Sequence, residues 1–293
     1  MKGTFRKLAL LLCLVLAVTL CMAVPAAAAS KGKKVKEYKL KSYVYKDGKW
    51  KTAGFRYETV KFTYNKHGDV SKTTTKRYEK KGKKPKTYVE KRILKCNKKG
   101  QLLKDIYNPD DDSYSSVTYY KKGVPIRLES FDDDGHEIIE YSYKCRYLKS
   151  KTTTMYYSDE EYGDPEAHTP HIYNYNVETK DGYPTKITSV NPYDEAETNI
   201  VLFYTKGTKK GLIKKEVTKS TDGWRDATSY SYKIKKGMVT SVTAKQTIEN
   251  IDGSTDKYKD TYSFKYTKKK ISAKHYRSMI NDLIDKGSIN TYW

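Results

Sequence analysis

The 293-residue chain carries 58 Lys and Arg against 35 Asp and Glu, a formal charge of +23 at pH 7, and 37% of its residues are hydrophobic. Leu, Ile, Val and Phe make up about 16% of the residues after the first 29, a share that at this charge falls in the range of disordered chains. This composition excludes an ordinary apolar-core enzyme, a helical bundle and a helical membrane protein. Tyrosine offsets the deficit: all 29 Tyr lie beyond residue 30, and most alternate with Lys, Thr or Ser.

The chain opens with Lys2, Arg6 and Lys7, an uncharged run from Leu8 to Val24, and Ala27 and Ala29 ahead of Ser30. That order predicts a secretory signal over residues 1–29. No later apolar run is long enough for a membrane helix. Cys13 and Cys21 lack the small residue before them that a lipoprotein signal carries. The expectation is a mature protein that is secreted, extracellular or retained at the cell wall. The short basic start and Ala-rich cleavage site are bacterial in style, and the Lys-rich strands suit a Gram-positive exporter.

Strands come next, as period-two alternation: Val60-Lys-Phe62-Thr-Tyr64, Val117-Thr-Tyr119, Tyr141-Ser-Tyr143, Tyr230-Ser-Tyr232 and Tyr262-Ser-Phe264-Lys-Tyr266. Each run puts aromatics on one face and small or cationic groups on the other. Most runs stop at a short basic turn containing Gly, as at Asn65-Lys-His-Gly68, Asn97-Lys-Lys-Gly100, Lys121-Lys-Gly123, Asp181-Gly182, Lys209-Lys-Gly211 and Lys235-Lys-Gly237. Two degenerate copies, near 148 and 270, lack Gly. Glycine supplies the positive φ that tight hairpin turns require. The eight turns recur about every 29 residues, room for two strands and two connections.

Between the basic turns lie acidic loops such as Asn108-Pro-Asp-Asp-Asp112, Asp132-Asp-Asp-Gly135, Thr221-Asp-Gly223 and Asn250-Ile-Asp-Gly253. In an up-and-down meander alternate connections fall at opposite ends, so from about residue 105 one end is cationic and the other anionic. The loops at 46–51 and 79–86 break the pattern by being basic. From His275 to Lys286 the alternation ends, and Met279, Ile280, Leu283 and Ile284 fall at helical spacing. The expected class is all-β: repeated antiparallel hairpins over 30–275, forming a long curled meander, a sandwich or a wide barrel. A short C-terminal helix and tail over 276–293 would cover one end. An outer-membrane barrel fits least, because the face opposite the aromatics is rich in Lys.

The aromatic-x-aromatic-Asn-x-x-Gly-x-aliphatic runs at Phe62 to Val70 and Leu94 to Leu102 resemble the hairpins of YD-repeat (RHS-type) proteins. The likeness covers most of the mature chain as a degenerate pattern, with Tyr-Asn, Cys-Asn or Tyr-Lys where that family has Tyr-Asp. It implies hairpins of a secreted scaffold and no more, since some eight hairpins are too few to enclose cargo.

Candidate sites follow from residue type and position. Cys96 and Cys145, the two cysteines of the mature chain, occupy equivalent places before basic turns and are a possible disulfide, which a flat sheet would hold about 19 Å apart. A bridge therefore requires a rolled or folded sheet. Asp110–Asp112 and Asp132–Glu137 have the carboxylate density of calcium loops without the full ligand spacing, and Asp-Asp-Gly is good turn chemistry. His168 and His171 flank Pro170, which forbids the helical spacing of zinc protease motifs. No metal and no cofactor is expected. Trp50 and Trp224 each follow an Asp-Gly turn and are either stacking platforms for a ligand such as a sugar ring or caps on the sheet end. With no phosphate loop, nucleophile elbow or acid/base constellation, the reading is not an enzyme.

The cationic surface is built from 50 Lys against 8 Arg. Scattered Lys gives a diffuse field and keeps exposed strands from pairing, whereas specific nucleic-acid recognition favours the Arg fork. The expected role is a secreted surface binding or scaffold protein held to an anionic cell-wall polymer or glycan. The residues in question are Lys66, Lys98, Lys99, Lys121, Lys122, Lys209, Lys210, Lys235 and Lys236. The alternatives are a carbohydrate-binding module or carbohydrate-active enzyme using the Trp loops, and a carrier of apolar ligands in a half-open barrel.

Overall fold

Four two-residue turns, Asp47-Gly48, Lys122-Gly123, Asp181-Gly182 and Lys236-Gly237, hold both central residues at φ between 50° and 80°. That is the left-handed pair whose twist matches flanking antiparallel strands, and it fixes their register. At Phe62–Val70 and Leu94–Leu102 an asparagine does the work instead. Asn65 Oδ1 accepts from the N–H groups of Gly68 (2.6 Å) and Asp69 (2.9 Å), and Asn97 Oδ1 from those of Lys99 (2.9 Å) and Gln101 (3.0 Å).

The computed structural model describes residues 32–107, 114–132, 135–144, 147–157, 170–190 and 197–285. Its strands are β1 (Gly32–Lys46), β2 (Lys49–Thr52), β3 (Tyr57–Tyr64), β4 (Val70–Tyr78), β5 (Lys86–Cys96) and β6 (Leu102–Tyr107). They continue through β7 (Tyr114–Lys121), β8 (Val124–Asp132), β9 (Gly135–Lys144), β10 (Tyr147–Tyr157), β11 (His171–Lys180) and β12 (Tyr183–Val190). The last are β13 (Thr198–Phe203), β14 (Ile213–Lys219), β15 (Arg225–Lys235), β16 (Met238–Glu249) and β17 (Thr255–Ile271), followed by helix α1 (Ala273–Ile284). From β3 to β17 each strand pairs antiparallel with the next. β1 pairs with β17 on one side and with β3 on the other, which closes the sheet. β2 takes Tyr43–Lys46 of β1, just beyond the Glu37–Leu40 segment that β3 takes, so the two share one place in a ring of sixteen. Of the three architectures left open by the alternation, the chain adopts the barrel, which abolishes sheet edges.

Register and burial together assign the faces. One row across the wall, Tyr232, Val242, Tyr262 and Leu40, is buried. A row three residues along, and so on the other face, runs Ser229, Lys245, Lys259 and Tyr43. Tyrosine therefore fills the lumen and Lys, Ser and Thr clothe the outside. The dense core belongs to one part of the ring. Val35, Val242 and Ile280 have no exposed surface, and the buried cluster around them comes from β1, β12–β17 and α1. In β3–β6 the lumen is polar, with Arg77 on Glu58 (3.2 Å) and Arg92 on Asp105 (2.7 Å), both carboxylates buried.

Tyrosine can serve as core because its hydroxyls find carbonyls. Tyr232 Oη donates to Ile213 O (2.7 Å) and Tyr204 Oη to Tyr230 O (3.1 Å), while Tyr64 and Tyr266 donate to Val35 O and Val239 O. These residues pack the ring like Phe and leave no hydroxyl stranded.

The helix begins at Ala273, three residues before the expected start, because Ser272 supplies the N-cap: its Oγ accepts from His275 N–H at 3.2 Å. Tyr276, Ile280 and Ile284 form its buried stripe. Asn281 is wholly buried, donating through Nδ2 to Gly211 O (3.0 Å) and accepting through Oδ1 from Ile213 N–H (3.1 Å). Tyr276 Oη accepts from Val239 N–H (2.6 Å). The helix thus lies at the end of the barrel that carries the basic turns, an end the sequence did not specify, and reaches from β17 to the start of β14.

Candidate functional site

Because every hairpin joins neighbouring strands, the turns near 68, 100, 123, 182, 211 and 237 all lie at one end of the ring, with the 268–270 lysines at the close of β17. Of the candidate lysines, Lys66, Lys98, Lys99, Lys121, Lys122, Lys235 and Lys236 are exposed there. Lys209 and Lys210 are half-buried. Lys209 sits over the Tyr204 ring (5.2 Å), and Lys210 bonds Asp181 at 2.8 Å while facing the Tyr183 ring (5.3 Å). Sequence alone does not separate Lys210 from the others, because its partner Asp181, in the β11–β12 turn, lies 29 residues away.

The opposite end holds the turns Asp47-Gly48, Asp222-Gly223 and Asp252-Gly253. Hydrogen bonds, to Asp222 from Trp224 N–H and to Asp252 from Ser254, hold both carboxyls below the usual carboxylate range. The basic loop Lys80 to Lys84 makes this end mixed in sign.

Inside the wall, below this mixed end, lies a cavity of about 430 Å³. Tyr173, Tyr175, Tyr230, Tyr258 and Tyr262 line it. So do the carboxylates Glu216, Asp226, Asp260 and Asp285, with Lys151. The strands place them by alternation: Glu216 pairs with Thr228, Gln246 with Tyr258, and Ala244 with Asp260, all on the inner face. Tyr230 Oη donates to Glu216 Oε2 (2.6 Å) and Gln246 Nε2 to Asp226 Oδ2 (2.6 Å). Burial first, then the neighbouring Asp285, pushes the Glu216 carboxyl well above the usual carboxylate range. Burial also raises Asp226. Ile284 and Asp285 bring the C-terminal end of α1, the negative end of its dipole, to the same cavity. Lys151 lies over the Tyr173 ring at 4.9 Å, and burial lowers its pKa. Sequence reading missed this cavity because its carboxylates come one to a strand, with no motif linking them.

The remaining candidates are placed as follows. Trp50 stands on the outer wall beside Tyr45 (centroids 5.2 Å apart), with Lys259 Nζ 4.6 Å from its ring centre. Trp224 is half-buried in the β14–β15 turn. From β2 to β15 is four strand steps round the ring, about 19 Å, so the indoles do not share one groove. Cys96 carries a free thiol 4.0 Å from Asp69 Oδ2. Cys145, the signal region 1–29, Asp110–Asp112, Asp133, Asp134, His168 and the tail 286–293 lie outside the described residues, as does the His171 side chain. Next to the second acidic run, His136 stacks on Phe131 (4.2 Å) and Glu137 accepts from Ser130 Oγ (3.2 Å). Among the described residues no three His, Cys, Asp or Glu side chains are grouped to hold a metal.

No family model and no curated protein matches the chain. Among solved structures it is similar to a porin-like protein from Bacteroides uniformis, at 14% identity over 80% of this chain and 98% of that one, with a TM-score of 0.54. A second porin-like protein, from Bacteroides vulgatus, aligns at 7% identity over 81% and 100% of the two chains, with a TM-score of 0.43. What the chain shares with the first of these is the barrel fold.

The outer face differs from what lipid requires. A membrane barrel turns an apolar band about 25 Å tall outward. Here the outward positions of β16, β17 and β1 include Ser241, Thr243, Lys245, Lys257, Lys259, Thr261, Ser263 and Lys41, with Tyr43 and Tyr45 of β1 among them near the mixed end. The outer face of β5–β9 has a single aliphatic row, Ile93, Ile106, Val117 and Ile138, interrupted by Glu129. No helix among the described residues is long and apolar enough to cross a membrane.

Proposed function

We propose that this protein is an exported, water-soluble barrel that acts by binding, held to an anionic cell-wall polymer by the lysine turns of its helix-covered end. The observation that carries the reading is topological. A meander with basic turns at every second connection gathers dispersed Lys into one ring, and α1 packs against part of that end through Gly211, Ile213 and Val239. Seven exposed ammonium groups on short, Gly-pinned turns offer a polyanion a multivalent surface with little loop entropy to lose. The Lys, Ser and Thr outer wall and the Tyr-filled lumen support solution over lipid. The cavity lining, with four carboxylates, argues against an apolar cargo.

The reading predicts that the protein, expressed without residues 1–29, co-sediments with purified Gram-positive walls. It should be released as salt rises through the range where the screening length falls from about 30 Å to about 8 Å. Removal of teichoic acids should abolish the interaction. Retention on stripped walls, or binding indifferent to salt, would overturn it.

A further inference from the structure

We propose that the lumen cavity is a binding site for a small organic ammonium ion, a role separate from wall retention. The argument starts from charge placement. In a chain of +23, four acidic side chains and one lysine line one cavity of about 430 Å³; burial and the neighbouring Asp285 favour the protonated form of Glu216, so the negative charge of the lining rests on the other three. That volume is in the range of small-molecule sites. Five tyrosines complete the wall, and the face of an aromatic ring is the negative pole of its quadrupole. Carboxylates and ring faces together satisfy a positively charged guest and repel an anion.

The wall itself uses this mode of contact. Lys151 Nζ rests 4.9 Å from the centre of the Tyr173 ring, half-buried, with the charge of Glu137 acting in its favour. A free ammonium ion entering the cavity would find the same surroundings at Tyr230, Tyr258 and Tyr262, with Asp226 on the strand of Tyr230 (β15) and Asp260 between the other two tyrosines on β17, the next strand round the wall after β16. Part of the lining is already pre-organised. Gln246 fixes Asp226 at 2.6 Å and Tyr230 fixes Glu216 at 2.6 Å, so neither carboxylate needs to reorient. The floor comes from α1, whose residue Asp285 adds a carboxyl group beside the negative end of the helix dipole. The net positive field of the outer surface does not prevent entry, because at physiological ionic strength it is screened within about 8 Å.

Competing guests make different demands. An apolar ligand would displace water from the ionised carboxylates and offer them no charge or hydrogen bond in exchange. A neutral sugar could stack on the tyrosines but would gain nothing from the excess of negative charge. The cation class is therefore the one that uses the ionised carboxylates and the tyrosine rings together.

The test is calorimetric titration of the full mature chain with choline and with benzyltrimethylammonium, against 3,3-dimethylbutanol as the uncharged counterpart of choline and maltose as a sugar. One-to-one saturable binding of the ammonium ions, at least about tenfold tighter than the alcohol, is the expected result. D226N should weaken it about tenfold, and Lys151→Met, which removes the like charge, should tighten it several-fold. Both variants should show wild-type circular dichroism. The proposal is overturned if the alcohol binds as tightly as choline, if maltose alone binds, if no cation saturates in the millimolar range, or if Lys151→Met folds normally and binds choline no better.

Discussion

Asn281 offers the sharpest test of how the barrel end is held. Its side chain is fully buried and makes two hydrogen bonds to the backbone, to Gly211 O at 3.0 Å and from Ile213 N–H at 3.1 Å. Asn281→Ala removes both at once and leaves a buried N–H and a buried C=O without partners. Each orphaned group costs about 1–3 kcal/mol. The helix can lift slightly to admit water, so the expected loss is about 2–4 kcal/mol rather than the full sum. The cost should be local, because Tyr276 and Ile280 still anchor the helix. Amide exchange at Ile213 should then accelerate about 30- to 1000-fold, a factor of ten for each 1.4 kcal/mol. Exchange at Val239, whose N–H is bonded to Tyr276 Oη, should rise less. Lys274→Ala, at an exposed position of the same helix, serves as control and should leave both rates unchanged. The reasoning is refuted if Asn281→Ala leaves the Ile213 rate within about threefold of wild type, since the helix would then not be clamped through this residue.

Three further outcomes follow from the structure. The Glu216 carboxyl is raised in the folded state, so between its ordinary value and the raised one the folded protein binds more protons than the unfolded chain. Stability should fall as pH climbs through that window, by up to about 1.4 kcal/mol per pH unit for one proton. Thermal melts from pH 5 to pH 8 should show this slope, and Glu216→Gln should flatten it; an unchanged slope would place the proton elsewhere. Gly237 sits at φ +74 with open space around its Cβ position, so Gly237→Ala should cost about 1–2 kcal/mol through backbone strain alone. Lys236→Asn, at φ +51, should be neutral or slightly stabilising in urea titrations, and an equal loss in both would remove the turn argument. Finally, the mature protein should elute as a soluble species without detergent and fail to partition into liposomes; partition would contradict the Lys, Ser and Thr assignment of the outer face.

How much of this was legible in the sequence depends on distance along the chain. The hairpins were, because Gly at every second connection and Tyr at every second residue are local signals that no tertiary contact overrides. The gathering of basic turns at one end was legible too, since it needs only that neighbours pair. Closure was not. It depends on β1 meeting β17, Tyr38 opposite Phe264 across 226 positions, and nothing in either strand marks the other. The helix was visible from Met279, Ile280, Leu283 and Ile284, but the residues that fasten it, Tyr276 and Asn281, are polar and gave no sign of burial. The cavity was the least legible feature. Glu216, Asp226 and Asp260 each look like a solvent carboxylate in an alternating strand, and only the rolled wall turns them toward one another.

The binding claim is tested most directly by moving its charge. Lys98, Lys99, Lys121, Lys122, Lys235 and Lys236 at the helix-covered end can be replaced by Gln in one variant, and Lys41, Lys61, Lys91, Lys95, Lys245 and Lys257 on the side wall in another. The two variants have equal net charge. If the ring of turns holds the polymer, the first should leave teichoic-acid-bearing walls at low salt while the second still sediments with them. Equal loss in both would show a diffuse cationic field with no privileged end, and the proposed role of the turns would fall.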